Sequence, residues 1–135
     1  MDREAGDLLE NLRRVRAAFP ATEQTTLVAD FTGPLVLGGP DGLAGVVMAN
    51  ALHFVEPRRQ ADVVRSIAGL LRPGGRFVVV EYDTDHGNRW VPHPFTFAGW
   101  ERLARAAGLV DVRPTGRVPS RFLGAIHAAV AVRPA

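Results

Sequence analysis

Residues 70–83 read LLRPGGRFVVVEYD. The stretch reads as a helix end, a tight turn and a strand. Proline cannot continue a helix, and Gly74 or Gly75 can take the left-handed conformation that closes one. RFVVVEY (76–82) then runs apolar with no polar alternation, so both faces of this strand are expected to be covered. A strand of that kind sits inside an α/β sheet.

Working outward, the pattern repeats on both sides. Pro57 suits the first turn of a helix running to about Leu71, with Val63, Val64, Ile67, Leu70 and Leu71 inward. Before it, AGVVMAN (44–50) is a second strand apolar on both faces, and TTLVADF (25–31) a third, short one. TGPLVLGGPDG (32–42) is a turn-rich connection. The chain opens with a helix over about 3–19, whose stripe is Leu8, Leu12, Val15 and Phe19, with Leu9 beside it. Pro20 ends it. A polar loop, 83–95, follows the central strand. Thr96 caps a helix over 97–107, with Trp100, Leu103, Ala104 and Ala107 inward, and Gly108 closes it. LVDVRPT and AIHAAVAVR alternate with period two and form an antiparallel pair. The order α, β, β, α, β, α, β, β predicts one α/β domain over 1–135, mostly parallel with an antiparallel finish.

Composition narrows the function. The 135 residues are 47% hydrophobic and 22% charged, as in an ordinary soluble globule. No apolar run is long enough to span a bilayer, and the charged start MDREAGDLLENLRR is no secretory signal. Cysteine is lacking, which excludes disulfides and thiolate metal sites and fits a cytoplasmic protein. All 16 basic residues are arginine, yet the net charge is only +2. These arginines are scattered and mostly near acids, so codon bias explains them better than nucleic-acid binding. No nucleic-acid or membrane partner is expected.

DGLAGVVMANALHFV (41–55), then a helix, then LLRPGGRFVVVEYD, then FAGWERLARAAGLVDV (97–112) and two last strands resemble the class I S-adenosylmethionine-dependent methyltransferases. The resemblance covers nearly the whole chain. It implies a Rossmann-like sheet ordered 3-2-1-4-5-7-6, with the seventh strand antiparallel. Residues 25–29 then stand for the third strand, 44–49 the fourth, 76–82 the fifth, 109–114 the sixth and 123–133 the seventh. The family's first strand, glycine-rich loop and nearly all of its second strand have no counterpart, so the fold is expected to be truncated, incomplete at the N-terminus. GPLVLGGPDG (33–42) lies between two strands and leads into no helix, so it is read as a turn and not as the phosphate-type loop.

The same resemblance implies S-adenosylmethionine as cofactor and a small-molecule acceptor. Asp2 matches the acid that holds the ribose hydroxyls. Asp30 matches the acid that accepts from the adenine amino group, and Phe31 the residue lining the adenine; a turn-forming aspartate is the other reading of Asp30. Asn50, His53 and Phe54 follow the fourth strand, beside the cofactor's methionine part and the substrate. His53 is the candidate base for a substrate hydroxyl, or a capping or packing histidine. The loop after the fifth strand shapes the acceptor pocket, with Tyr82, Asp83 and Trp90 as substrate-binding candidates. Glu81, Asp83, Asp85, His86 and His93 match no metal-site spacing, so no metal is predicted. His127, on a strand, is read as structural. The reading is a methyltransferase-like protein that needs a further segment or a complementing chain for activity. Its rival is a non-catalytic binding module of the same fold. A parallel strand at 44–49 lacking a neighbour recruits partners: TTLVA can slide across to pair with it in the same chain, which costs no association entropy, or a second chain can donate a strand. Self-association as a homodimer is still expected, because apolar surface is left bare.

Overall fold

The computed structural model describes residues 5–135, with side chains from Leu8 onward. The chain divides into two compact units, Met1–Leu35 and Val36–Ala135. Asp2 lies outside the described residues. Among the described residues no helix is long and apolar enough to cross a membrane.

The first unit holds helix α1, Ala5–Ala18. Of its expected stripe only Leu8 is fully buried; Val15 and Phe19 are exposed, as is Leu9. Segment 25–31 is not the strand its composition predicts. Only Val28 forms a single bridge, and Leu27 and Val28 are both exposed. β-branched composition favours an extended chain, but a strand also needs a ladder of neighbours, and this segment has one rung. The following turn is built by Asp30. Its Oδ1 accepts from the Thr32 amide at 2.9 Å and from the Thr32 hydroxyl at 2.7 Å, and Gly33 N–H closes onto Asp30 O. The turn-forming reading of this aspartate therefore holds.

The second unit is a four-stranded mixed sheet with two helices. Its strands are β1 (Leu43–Ala49), β2 (Leu71–Tyr82), β3 (Val110–Pro119) and β4 (Ala125–Val132), in the spatial order β1-β2-β4-β3. β1 pairs parallel with β2, Val46 beside Phe77 and Ala49 beside Val80. β4 runs antiparallel to both β2 and β3, with Phe77 opposite Ala131 and Glu81 opposite His127. This is the 4-5-7-6 half of the expected order, and β1 is an edge strand of it.

Helix α2 (Pro57–Ala68) and helix α3 (Phe97–Ala106) complete the unit. One sheet face carries Phe77, Val79 and Glu81 of β2 with His127, Ala129 and Ala131 of β4, all buried. The Trp100 ring lies 5.3 Å from that of Phe77, and Phe95 stands 6.4 Å from His127, edge to face. Phe77 and Trp100 are fully buried, each worth about 1.5–3 kcal/mol or somewhat more for the larger indole. α3 starts where expected, with Thr96 Oγ1 accepting from Gly99 N–H.

Two boundaries differ from expectation. α2 stops at Ala68, and its C-cap is Gly69 in a right-handed conformation, so RPGG does not cap the helix. β2 instead begins at Leu71 and runs through RPGG as a bulge: Leu43 pairs with Leu71, then Gly45 with Arg76. The left-handed glycine is Gly74 (φ 79°). A Cβ on Gly75 would stand 2.8 Å from Arg72 O and 3.0 Å from Leu43 O, so backbone from both strands closes on it.

Candidate active site

At the carboxyl end of β1 the chain stops its ladder with Asn50 N–H on Val80 O, and Asn50 itself takes a positive φ of 51°. The backbone then enters a 3-10 turn, Leu52–Phe54, that carries His53. Leu52 and His53 are buried, so the turn is drawn inward. Gln60 on α2 locks it from below. Its buried side-chain amide donates to Leu52 O, Val55 O and His93 O at 3.0–3.3 Å. His93 N–H donates to His53 O at 2.9 Å, which ties the loop after β2 to the same turn.

At the carboxyl end of β2 the buried face ends in a carboxylate. Glu81 is fully buried. Its Oε1 accepts from Ala51 N–H at 2.9 Å, and its Oε2 stands 2.7 Å from His53 Nδ1. A carboxylate at Glu81 can only accept, so in this pair Nδ1 is the nitrogen that donates. Among the described residues His53 Nε2 has no hydrogen-bond partner, and it is not one of their sealed, unpartnered nitrogens and oxygens. Those are Gln24 Oε1, Trp100 Nε1 and both ring nitrogens of His127. The site thus holds a buried histidine oriented by a buried acid through one ring nitrogen, an arrangement in which a general base can be positioned.

Aromatic rings surround it. Phe54 lies 4.2 Å from His53 between centroids and Tyr82 6.1 Å. Asp83 follows, paired with Arg117 at 2.8 Å. Trp90 is exposed in the loop after β2, with Arg89 5.9 Å above its ring. That loop is ordered by Asn88, whose Oδ1 accepts from the Trp90 and Val91 amides. Asp85 and His86 are exposed in it, and no cluster of three metal-type ligands occurs among the described residues.

His53, Phe54, Tyr82, Asp83 and Trp90 therefore belong to one unit and one end of its sheet, with Asn50 closing β1 beside them. Asp30 and Phe31 lie in the first unit and are described within it alone. Two residues that hold this site together are not candidates on the sequence alone. Glu81 shares one strand face with Phe77 and Val79 by simple alternation, which would have placed its carboxylate inward. Gln60 carries no sequence signal beyond being a polar residue on the apolar stripe of a helix.

No protein-family model and no curated protein matches the sequence. Solved structures do match, in number. SibL, an S-adenosylmethionine-dependent methyltransferase in its apo form, is 25% identical with a TM-score of 0.66, covering 99% of this chain and 42% of that one. The 1,6-didemethyltoxoflavin-N1-methyltransferase of Burkholderia thailandensis is 24% identical (TM-score 0.63; 81% of this chain, 50% of that). Magnesium protoporphyrin IX methyltransferase of Synechocystis PCC 6803 is 16% identical (TM-score 0.69; 97% and 56%). The chain spans about half the length of these enzymes. In strand order, helix placement and likeness, it carries a truncated Rossmann-like form of the class I S-adenosylmethionine-dependent methyltransferase fold.

Proposed function

We propose that this chain supplies the acceptor-activating half of an S-adenosylmethionine-dependent methyl transfer to a small molecule. The observation that carries the reading is the 2.7 Å contact between His53 Nδ1 and the fully buried Glu81, at the carboxyl end of a parallel strand pair where open α/β sheets bind ligands. When bound, the cofactor supplies an electrophilic methyl group on sulfonium sulfur. His53 Nε2 would take the proton from the acceptor hydroxyl, which frees the acceptor oxygen to receive that methyl group. Glu81 holds the ring in the productive tautomer and balances the imidazolium that results. Phe54, Tyr82, Asp83 and Trp90 shape the acceptor side.

The residues fit the donor only in part. Asn50, exposed at the end of β1, is the candidate for the donor's methionine part; Asp30 and Phe31, the adenine candidates by resemblance, are described within the first unit alone. Asp30 has already committed one carboxylate oxygen to Thr32. No glycine-rich turn leads from a strand into a helix among the described residues. We therefore propose that a complementing segment or chain completes the donor site, and that it pairs with β1. That strand, LAGVVMA, has no charge and no proline, and its Val47 is 68% exposed at the sheet edge. A second copy of the chain is the other candidate for this edge.

The experiment has two arms. Calorimetric titration of the chain with S-adenosylmethionine is expected to show no micromolar binding, and tight binding would contradict the need for a complement. The chain is then fused to the amino-terminal half of a methyltransferase of the same fold, and turnover is measured. His53→Ala should lower turnover by about 100-fold or more, and Asn50→Ala should raise the cofactor requirement. Unchanged turnover in both would remove these residues from the mechanism.

A further inference from the structure

Large aromatic side chains normally hide. In the second unit Phe77, Phe95 and Trp100 do so, all at 6% exposure or less. Phe54, Trp90 and Phe122 do not: they are 62%, 64% and 53% exposed. Buried His53 and half-buried Tyr82 link these exposed rings into one chain of contacts. From His53 the centroids step to Phe54 at 4.2 Å and to Tyr82 at 6.1 Å, from Tyr82 to Phe122 at 5.9 Å, and from Phe122 to Trp90 at 6.2 Å. Phe122, in the β3–β4 connection, is the member that sequence reading did not include.

The rings are held in place although they face solvent. Ser120 Oγ accepts from the Phe122 and Leu123 amides, and Ser120 N–H donates to Gly124 O. Asn88 fixes the Trp90 amide, and a Cβ on Gly87 would sit 2.4 Å from Pro92 O, so that loop is tightly folded on itself. A preordered apolar wall costs little to occupy, because its conformational entropy is already spent. Its charges are also committed: Asp83 pairs with Arg117, and Arg89 lies over Trp90. What the wall offers a ligand is π faces.

We infer that the acceptor is a planar aromatic ring carrying the hydroxyl to be methylated, stacked on the wall formed by Phe54, Tyr82, Phe122 and Trp90. The inference rests on the reading of His53 as the base, and proton energetics favour it independently of shape. A phenolic hydroxyl ionises near pH 10, far more readily than an aliphatic alcohol. A histidine oriented by a carboxylate is therefore a better matched base for an aromatic hydroxyl than for an aliphatic alcohol.

The test uses the chain itself and needs no turnover. It has two tryptophans, Trp90 in the wall and Trp100 fully buried, so its ¹⁵N-labelled form gives two indole signals. Catechol is expected to shift the Trp90 signal saturably and leave that of Trp100 in place, while cyclohexane-1,2-diol shifts neither. Phe122→Ala should weaken catechol binding about fivefold, with the Trp100 signal reporting that the core is intact. Equal shifts from the two diols, no shift at Trp90, or an unchanged affinity in Phe122→Ala would each overturn the inference. In the complemented protein, faster transfer to catechol than to the aliphatic diol is expected. Equal rates would overturn the aromatic assignment alone, whereas catechol binding with turnover indifferent to His53→Ala would overturn the base and leave the wall standing.

Discussion

The two ends of β2 do opposite work. At its amino end the RPGG bulge leaves Arg72, Pro73 and Gly74 exposed, buries Gly75 and is pinned by hydrogen bonds to Arg133. Gly74 N–H donates to Arg133 O, Arg133 N–H to Gly75 O, and the Arg133 guanidinium to Gly69 O and Leu71 O. At its carboxyl end Glu81 is fully buried, with one oxygen on the Ala51 amide and the other on His53 Nδ1, while His53 Nε2 has no hydrogen-bond partner among the described residues. The first end is a backbone device at the surface, and the second is a buried pair of ionisable side chains.

Substitutions sharpen that contrast. Gly75→Val puts a Cβ within 3 Å of two carbonyl oxygens, and should cost about 3 kcal/mol or more in urea unfolding. A loss below about 1 kcal/mol would mean that the bulge gives way and the amino end is not rigid. Glu81→Gln, at the other end, keeps an oxygen for Ala51 N–H but turns an amide group toward His53. It should cost only about 1.5 kcal/mol of stability and yet abolish the orientation of the imidazole.

Thr96→Ala, which removes the N-cap of α3, should cost about 1 kcal/mol by the same measurement. The smallest effect is expected at His127. It lies across the strands from Glu81, buried, with both ring nitrogens unpartnered. His127→Leu removes a desolvated polar group without stranding a partner, so stability should stay level or rise by up to about 1 kcal/mol. A loss above 2 kcal/mol would show that His127 is engaged, and that Glu81 serves two histidines.

The parts of this fold that can be read from sequence are those whose cause is local. The valine run at 78–80, Pro57 at a helix start and Thr96 as a cap all depend on near neighbours, and all appear as expected. The parts that escaped depend on distant ones. Glu81 meets His53 across 28 positions, and Gln60 meets His93 across 33, distances at which spacing carries no signal. Gly75 is required by Leu43 O as much as by Arg72 O, so RPGG reads locally as a helix stop while the sheet makes it a bulge. TTLVADF has strand composition but no ladder to join, and stays extended with a single bridge.

The central claim is that Glu81 holds His53 as a base with Nδ1 protonated and Nε2 open. Long-range proton–nitrogen NMR of the ¹⁵N-labelled chain reads the tautomer of each imidazole directly. The account predicts that His53 shows a protonated, pyrrole-type Nδ1 and a pyridine-type Nε2, and that Glu81→Gln removes this preference. A wild-type His53 protonated at Nε2, with Nδ1 bare, would contradict it.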